Sequence, residues 1–265
     1  MEKQAGETKK EKRKYSVPAV STAFKILTLL SRKKFYKSNL TEIAKALSLT
    51  PTTCYRILQQ LEELSIVRYD KSSKRYSLGP YLVVLGERAK ENLFDISIIL
   101  PYLENLSEQT GLTSVLVSRI GKTRSTIIAK AEGRDFGINV SVGRHFSVVD
   151  GAYGKCFLAY MDEKEADELL RTKKGLRTMT EREIEELKRE FPIIRKNGYT
   201  ITYGEYINGI FGVGAPIFNN DEKVEMAICL FGLTAQVEKH ELAQKGELLK
   251  NVANEISIKI QGYSQ

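Results

Sequence analysis

From residue 19 the chain places apolar residues at helical spacing. Val20, Ala23, Phe24, Leu27 and Leu30 predict a first helix over 19–31, with those side chains on its buried face. Asn39 precedes Leu40-Thr41-Glu42, an Asx cap with Glu at the third helical position. A short second helix therefore starts there and buries Ile43, Ala44 and Leu47. Leu47-Ser48-Leu49 makes a turn, and Thr50-Pro51 restarts a helix. Thr50 is its cap, and Pro51 sits in the first turn, where its missing N–H costs nothing. Ile57, Leu58, Leu61 and Leu64 mark the inner face of that helix. Two helices joined by so short a turn form a helix-turn-helix unit. Two strand-like runs follow, Ile66-Val67-Arg68-Tyr69 and Arg75-Tyr76-Ser77-Leu78, joined by 70–74. They predict a β-hairpin wing with Lys71, Lys74 and Arg75 near its tip.

Leu82, Leu85, Ala89 and Leu93 fall on one helical face, so Tyr81–Asn92 reads as a linker helix. A linker with an apolar stripe and no Gly/Ser run is stiff. Ile96, Ile99, Leu103 and Leu106 suggest a further helix ending near Gly111. Residues 114–120 and Arg124–Ala131 read as strands around a Gly121-Lys122 turn. A helix spans Gly151–Tyr160, and Asp162…Glu165 and Thr180…Glu183 are capping-box pairs that open two more. Strands over 199–203, 210–217 and 224–231 follow, the last two joined by Asn219-Asn220-Asp221. Leu242, Leu249, Ala253, Ile256 and Ile260 give a long closing helix. The fold class is α+β: a winged helix-turn-helix over 16–79 after a basic flexible tail (1–15), a linker helix over 80–94, and an antiparallel sheet with helices over 95–265.

Charge sharpens this division. Residues 1–90 hold 19 Lys/Arg and 8 Asp/Glu, a net of +11, while the remainder is at −3. A basic lobe on a faintly acidic one suggests a polyanion-binding module joined to a unit with another task. The tail of 1–14 supplies only +3, so most of the excess lies in the patterned segment. Three widely spaced cysteines, Cys54, Cys156 and Cys229, give no disulfide framework and fit a reducing, cytoplasmic setting. No apolar run is long enough for a bilayer, so no membrane partner is expected. His145 and His240 are isolated and no CxxC or HExxH occurs, so neither a metal nor another cofactor is expected.

The start of the 50–64 helix points its free N–H groups and first side chains at a duplex. Thr50, Thr52, Thr53, Tyr55 and Arg56 are the candidates there, and Lys71, Lys74 and Arg75 on the wing reach phosphates. Each has a plainer alternative: Thr52 and Thr53 as ordinary first-turn residues, Arg56 in an intra-domain salt bridge, Cys54 as a small core side chain.

These residues resemble the IclR family of transcriptional regulators. Leu40-Thr41-Glu42-Ile43-Ala44-Lys45-Ala46-Leu47-Ser48-Leu49 is similar to its second-helix segment, and Thr52-Thr53-Cys54-Tyr55-Arg56-Ile57-Leu58 to its recognition helix. Arg75-Tyr76-Ser77-Leu78-Gly79 with Leu85-Gly86 resembles its wing exit. Val142-Gly143-Arg144, Ala152-Tyr153-Gly154-Lys155 with Leu158-Ala159, and Glu205-Tyr206-Ile207-Asn208-Gly209 with Ala215-Pro216-Ile217 resemble its C-terminal blocks, in order over 18–260. The resemblance implies a GAF-like α/β effector-binding domain, homodimers or dimer-of-dimers tetramers, a roughly palindromic double-stranded DNA operator, and more often repression than activation of catabolic genes.

Catalytic patterns are absent. Gly151-Ala152-Tyr153-Gly154-Lys155 lacks the first glycine and the Ser/Thr of a P-loop, and Gly209-Ile210-Phe211-Gly212-Val213-Gly214 lacks dinucleotide spacing. There is no Gly-x-Ser-x-Gly elbow, and a Cys156–His145 pair has no orienting acid. The expectation is a regulator rather than an enzyme; the alternatives are an enzyme domain fused to a nucleic-acid-binding module, or a DNA-architectural or protein-partner module without an effector. The resemblance implies effector contacts at Asp150, Gly151, Ala152, Gly212, Cys229 and Phe231. Departures at Ser147, Val149, Gly151, Gly212, Cys229 and Phe231 make the pocket less polar and leave it an acid, Asp150. This argues against glyoxylate- or pyruvate-like effectors and for a larger ligand, such as a sugar, a sugar acid or an aromatic acid. Asp150 either caps its own helix or accepts from ligand hydroxyl or amine groups, and Cys229 and Phe231 either face the ligand or pack the core.

Overall fold

A computed structural model describes residues 17–92, 94–134, 138, 140–172 and 179–263. The basic tail and Leu93 of the linker stripe lie outside them. The chain divides into two compact units between Ala89 and Lys90.

The first unit comprises α1 (Pro18–Leu30), α2 (Leu40–Leu47), α3 (Pro51–Glu63), the hairpin strands β1 (Val67–Asp70) and β2 (Arg75–Leu78), and most of α4 (Tyr81–Asn92). Its core joins Ile26, Leu29 and Leu30 of α1 to Ile43, Cys54, Leu58, Leu61, Val67 and Tyr76. The expected face of α1 is corrected here: Val20 and Phe24 are exposed, Phe24 by 72%. Both stripes of α1 are apolar, and the one that includes Ile26 and Leu29 takes the core. Leu64 is also exposed rather than buried, because it follows the last turn of α3 as its C-cap. The linker stripe covers no core either, since Leu85 and Ala89 are exposed.

Local chemistry starts each helix. The Asn39 side chain accepts from the Glu42 amide (2.9 Å) and the Glu42 carboxylate accepts from the Asn39 amide (3.0 Å), a reciprocal capping box. The Thr50 hydroxyl accepts from the Thr53 amide (3.2 Å). Ser38 exchanges two backbone hydrogen bonds with Tyr76, which gives the wing a third, one-residue strand with no legible pattern.

In the second unit, six antiparallel strands lie in the order β5-β4-β3-β8-β7-β6. They are β3 (Thr113–Ile120), β4 (Arg124–Ala131), β5 (His145–Ser147), β6 (Thr200–Tyr203), β7 (Ile210–Phe218) and β8 (Val224–Leu233). One face packs on α5 (Phe94–Thr110) and α9 (Leu242–Tyr263) through Leu116, Phe211, Val213, Ala215, Ile228 and Leu230. The other carries Val115, Val117, Ala227 and Cys229 against α6 (Gly151–Tyr160), α7 (Glu163–Arg171) and α8 (Glu181–Asn197). This is the period-two division of a sheet buried on both faces. Thr180 and Glu183 form the expected box at α8. At α7 the Asp162 side chain accepts from the Lys164 and Glu165 amides.

Ser48, in the helix-turn-helix turn, is exposed and left-handed at φ +53°. A Cβ disfavours that conformation, so Ser48→Gly is expected to raise stability by about 0.5–1 kcal/mol, read by denaturant unfolding.

Candidate functional site

On α3, Cys54, Leu58 and Leu61 face inward, and Thr52, Thr53, Tyr55 and Arg56 are therefore carried outward and are exposed. Arg56 has no ion pair among the described residues. Thr50 and Thr53 are engaged with each other, hydroxyl to hydroxyl at 2.8 Å. Arg75 donates to the Lys37 carbonyl (2.8 Å) and to the Glu42 carboxylate (3.2 Å), bracing the wing against the start of α2. Lys71 and Lys74 remain exposed at the tip. That tip is shaped by Asp70, whose carboxylate accepts from the Ser72 and Ser73 amides and hydroxyls; these bonds hold it well below the usual carboxylate range.

The second unit contains a cavity of about 140 Å³ beside the start of α6. Its geometry begins with one cross-strand row: Thr202, Gly212 and Phe231 stand side by side on β6, β7 and β8. Gly212 and Gly214 carry no side chain on this face, and Ala152 of α6 rests directly on them; a Cβ at Gly214 would lie 3.2 Å from the Ala152 backbone. Glycine at those positions leaves room for the α6 N-terminus to lie this close to the sheet. Gly151 adopts φ +68° as the chain enters the helix.

Apolar walls come from Ile138, Val140, Phe146, Ile207, Ile210 and Phe231, with Phe211 below. Among the described residues the polar side chains of the lining are Arg144, Asp150, Tyr153, Thr202 and Tyr206. Asp150 is 4% exposed and occupies the N-cap position, yet its side chain makes no capping hydrogen bond. It lines the cavity. The Arg144 guanidinium lies 5.1 Å over the Phe146 ring and is exposed. Burial, then the Asp150 charge, pushes the Tyr153 hydroxyl well above its ordinary pKa, so Tyr153 is neutral. The Thr202 hydroxyl donates to the Gly212 carbonyl (3.3 Å).

Of the residues the resemblance implied, Asp150, Gly151, Gly212 and Phe231 line this cavity; Ala152 and Cys229 do not. Ala152 is the fully buried contact on the glycines. Cys229 pairs with Gly214, the next row along this face, and is fully buried under α6. Arg144, Phe146, Tyr153, Thr202 and Tyr206 were not foreseen. The signal that could have found Thr202 is its place opposite Gly212. Burial pushes the Cys156 and Cys229 thiols far up and that of Cys54 up to about 11. Cys156 is thus a core side chain without a thiolate.

Tyr206 and Ile207 sit on the β6–β7 loop, which is held by a buried cation. Lys155, its side chain 4% exposed, pairs with Glu190 of α8 (2.7 Å) and Glu205 of the loop (2.9 Å). The two carboxylates are about half exposed, so the burden of desolvation falls on the ammonium. Removing the cation by Lys155→Met releases two wet carboxylates, whereas Glu190→Ala with Glu205→Ala strands a buried charge. Stranding such a charge costs about 3–5 kcal/mol, so the double variant should melt well below Lys155→Met in thermal denaturation.

Residues 19–71 match the IclR helix-turn-helix domain and residues 92–258 the C-terminal domain of bacterial IclR transcriptional regulators. The chain is 28% identical to the HTH-type transcriptional regulator KipR of Bacillus subtilis over 230 residues, which is 85% of this chain and 90% of KipR. It is 28% identical to XynR of Escherichia coli, over 91% of this chain and 96% of XynR. An IclR transcriptional regulator from Alicyclobacillus acidocaldarius has a similar crystal structure, with TM-score 0.82, 40% identity, and coverage of 93% of this chain and all of that one. Regulators, not enzymes, recur throughout these matches. The outward face of α3 and the cavity beside α6 thus fall in the two matched domains, and the chain belongs to the IclR family of transcriptional regulators.

Proposed function

We propose that this regulator represses catabolic genes by binding a roughly palindromic operator as a homodimer or a dimer of dimers. A sugar, sugar acid or aromatic acid held in the α6 cavity controls it. The observation that carries the DNA reading is the outward face of α3: Thr52, Tyr55 and Arg56 are exposed beside a capped N-terminus, and Arg56 is free of ion pairs among the described residues. A guanidinium so placed bonds a guanine edge bidentately. Lys71 and Lys74 reach flanking phosphates, while Thr50, Thr53 and Arg75 position the helix and wing rather than read sequence. Two heads on one dimer engage half-sites about 34 Å apart. Apolar side chains left exposed on α1 and α4 (Val20, Phe24, Val83, Val84) support a second copy covering them. The effector acts by its differential affinity for head arrangements that the α4 linker couples to the cavity.

Arg56→Ala is expected to weaken operator binding by about 1–3 kcal/mol and relax preference at one base position; unchanged affinity in a mobility-shift titration removes that role. Lys71→Ala or Lys74→Ala should instead lower the salt slope of binding by about 1 and leave sequence preference intact.

A further inference from the structure

The wing carries one charge of the wrong sign. Asp70 is the single acid between Arg68 and Arg75, in the hairpin whose lysines are proposed to reach phosphates. A carboxylate near a duplex repels it, so on charge alone Asp70 should weaken binding. Its surroundings point the other way. Asp70 and Arg75 are the last cross-strand pair of β1 and β2, and residues 71–74 form the loop between them. One Asp70 oxygen accepts from the Ser72 amide (2.9 Å), the Ser72 hydroxyl (2.6 Å) and the Ser73 amide (3.4 Å). The other accepts from the Ser73 hydroxyl (2.8 Å). These donors fill the roughly four lone-pair sites of a carboxylate, so the charge is answered from within the loop.

The bonds turn the middle of the loop back on the end of β1. Ser72 and Ser73 commit their hydroxyl protons to Asp70 and have none to offer a phosphate. Lys71 and Lys74 flank the two serines; both are exposed, and neither makes an ion pair among the described residues. Lys74 is left-handed at φ +55°, a backbone conformation that a Cβ disfavours and that the closed loop must hold. Asp70 and its serines supply that closure. A loop without it would have to be ordered at the expense of binding. We infer that Asp70 is a positioning residue for DNA binding: its carboxylate makes no contact with the duplex but fixes the loop from which Lys71 and Lys74 reach two phosphates. The protein therefore binds DNA more tightly with this acid than without it. The inference rests on the phosphate role proposed for those lysines.

The test uses the full-length protein and a duplex that the wild type recovers from a random-sequence pool, titrated by fluorescence anisotropy over a series of salt concentrations. Asp70→Ala should weaken binding at least about fivefold, the scale of one lost hydrogen bond, and lower the salt slope by about 1–2. The double variant Ser72→Ala with Ser73→Ala keeps the acid and removes two of its donors. It should also weaken binding, whereas charge alone predicts no change. In the Asp70→Ala background, Lys71→Ala should lower the slope no further, a non-additivity that a general loss of stability does not produce. Asp70→Ala that binds as tightly as the wild type or more tightly, an unchanged serine variant, or additive effects of Asp70→Ala and Lys71→Ala overturns the inference. A wild type that retains no sequence from the pool refutes the DNA reading beneath it. Normal wild-type binding with a slope that Lys71→Ala and Lys74→Ala leave unchanged refutes the phosphate role of the lysines. A slope that those two lower while Asp70→Ala does not refutes the positioning role alone.

Discussion

The sensor half is organised by a contact that has no side chain on one side of it. Ala152, in the first turn of α6, lies directly on Gly212 and Gly214 of β7. With the helix seated that low, its preceding residue, Asp150, is drawn into the interior while Phe231 and Thr202 stand level with it on the flanking strands. A Cβ at Gly212 would meet the Thr202 hydroxyl at 3.0 Å and the Phe231 ring at 3.2 Å, and one at Gly214 would press on Ala152. The cavity is thus a by-product of close packing: the helix fills the sheet surface over Cys229 and leaves it open one row away.

The DNA-binding half is held by a small polar hub. One carboxylate, Glu42, accepts from the Asn39 amide at the head of α2 and from Arg75 of the wing. Helix capping and wing orientation therefore share an atom, and Arg75, expected from the sequence to reach phosphates, also holds the wing to α2. Arg56 and the tip lysines Lys71 and Lys74, by contrast, make no ion pair among the described residues.

Much of this was legible in the chain. The capping pairs Asn39/Glu42 and Thr180/Glu183 mark their helices because the signal lies within four residues. Strands β3, β4, β7 and β8 show because each is long and strongly apolar. Periodicity fails at α1, where Val20 and Phe24 compete with Ile26 and Leu29, and only tertiary packing decides between two apolar stripes. The cavity was half legible: Asp150, Gly151, Gly212 and Phe231 came from a resemblance to a family, while Arg144, Tyr153 and Tyr206 meet them only through folding. Local pattern carries no distance between such segments, and so it could not tell Cys229 beneath the helix from Phe231 beside the opening.

Every thiol of this protein is shut away: Cys54 in the core of the DNA-binding unit, Cys156 and Cys229 in that of the sensor, each with burial opposing its thiolate. Sulfur chemistry requires the deprotonated, accessible form. The native fold is consequently inert to alkylating reagents, and the pace at which each cysteine takes up a label becomes a clock for the opening of its own half, Cys54 timing one lobe and the other two timing its neighbour.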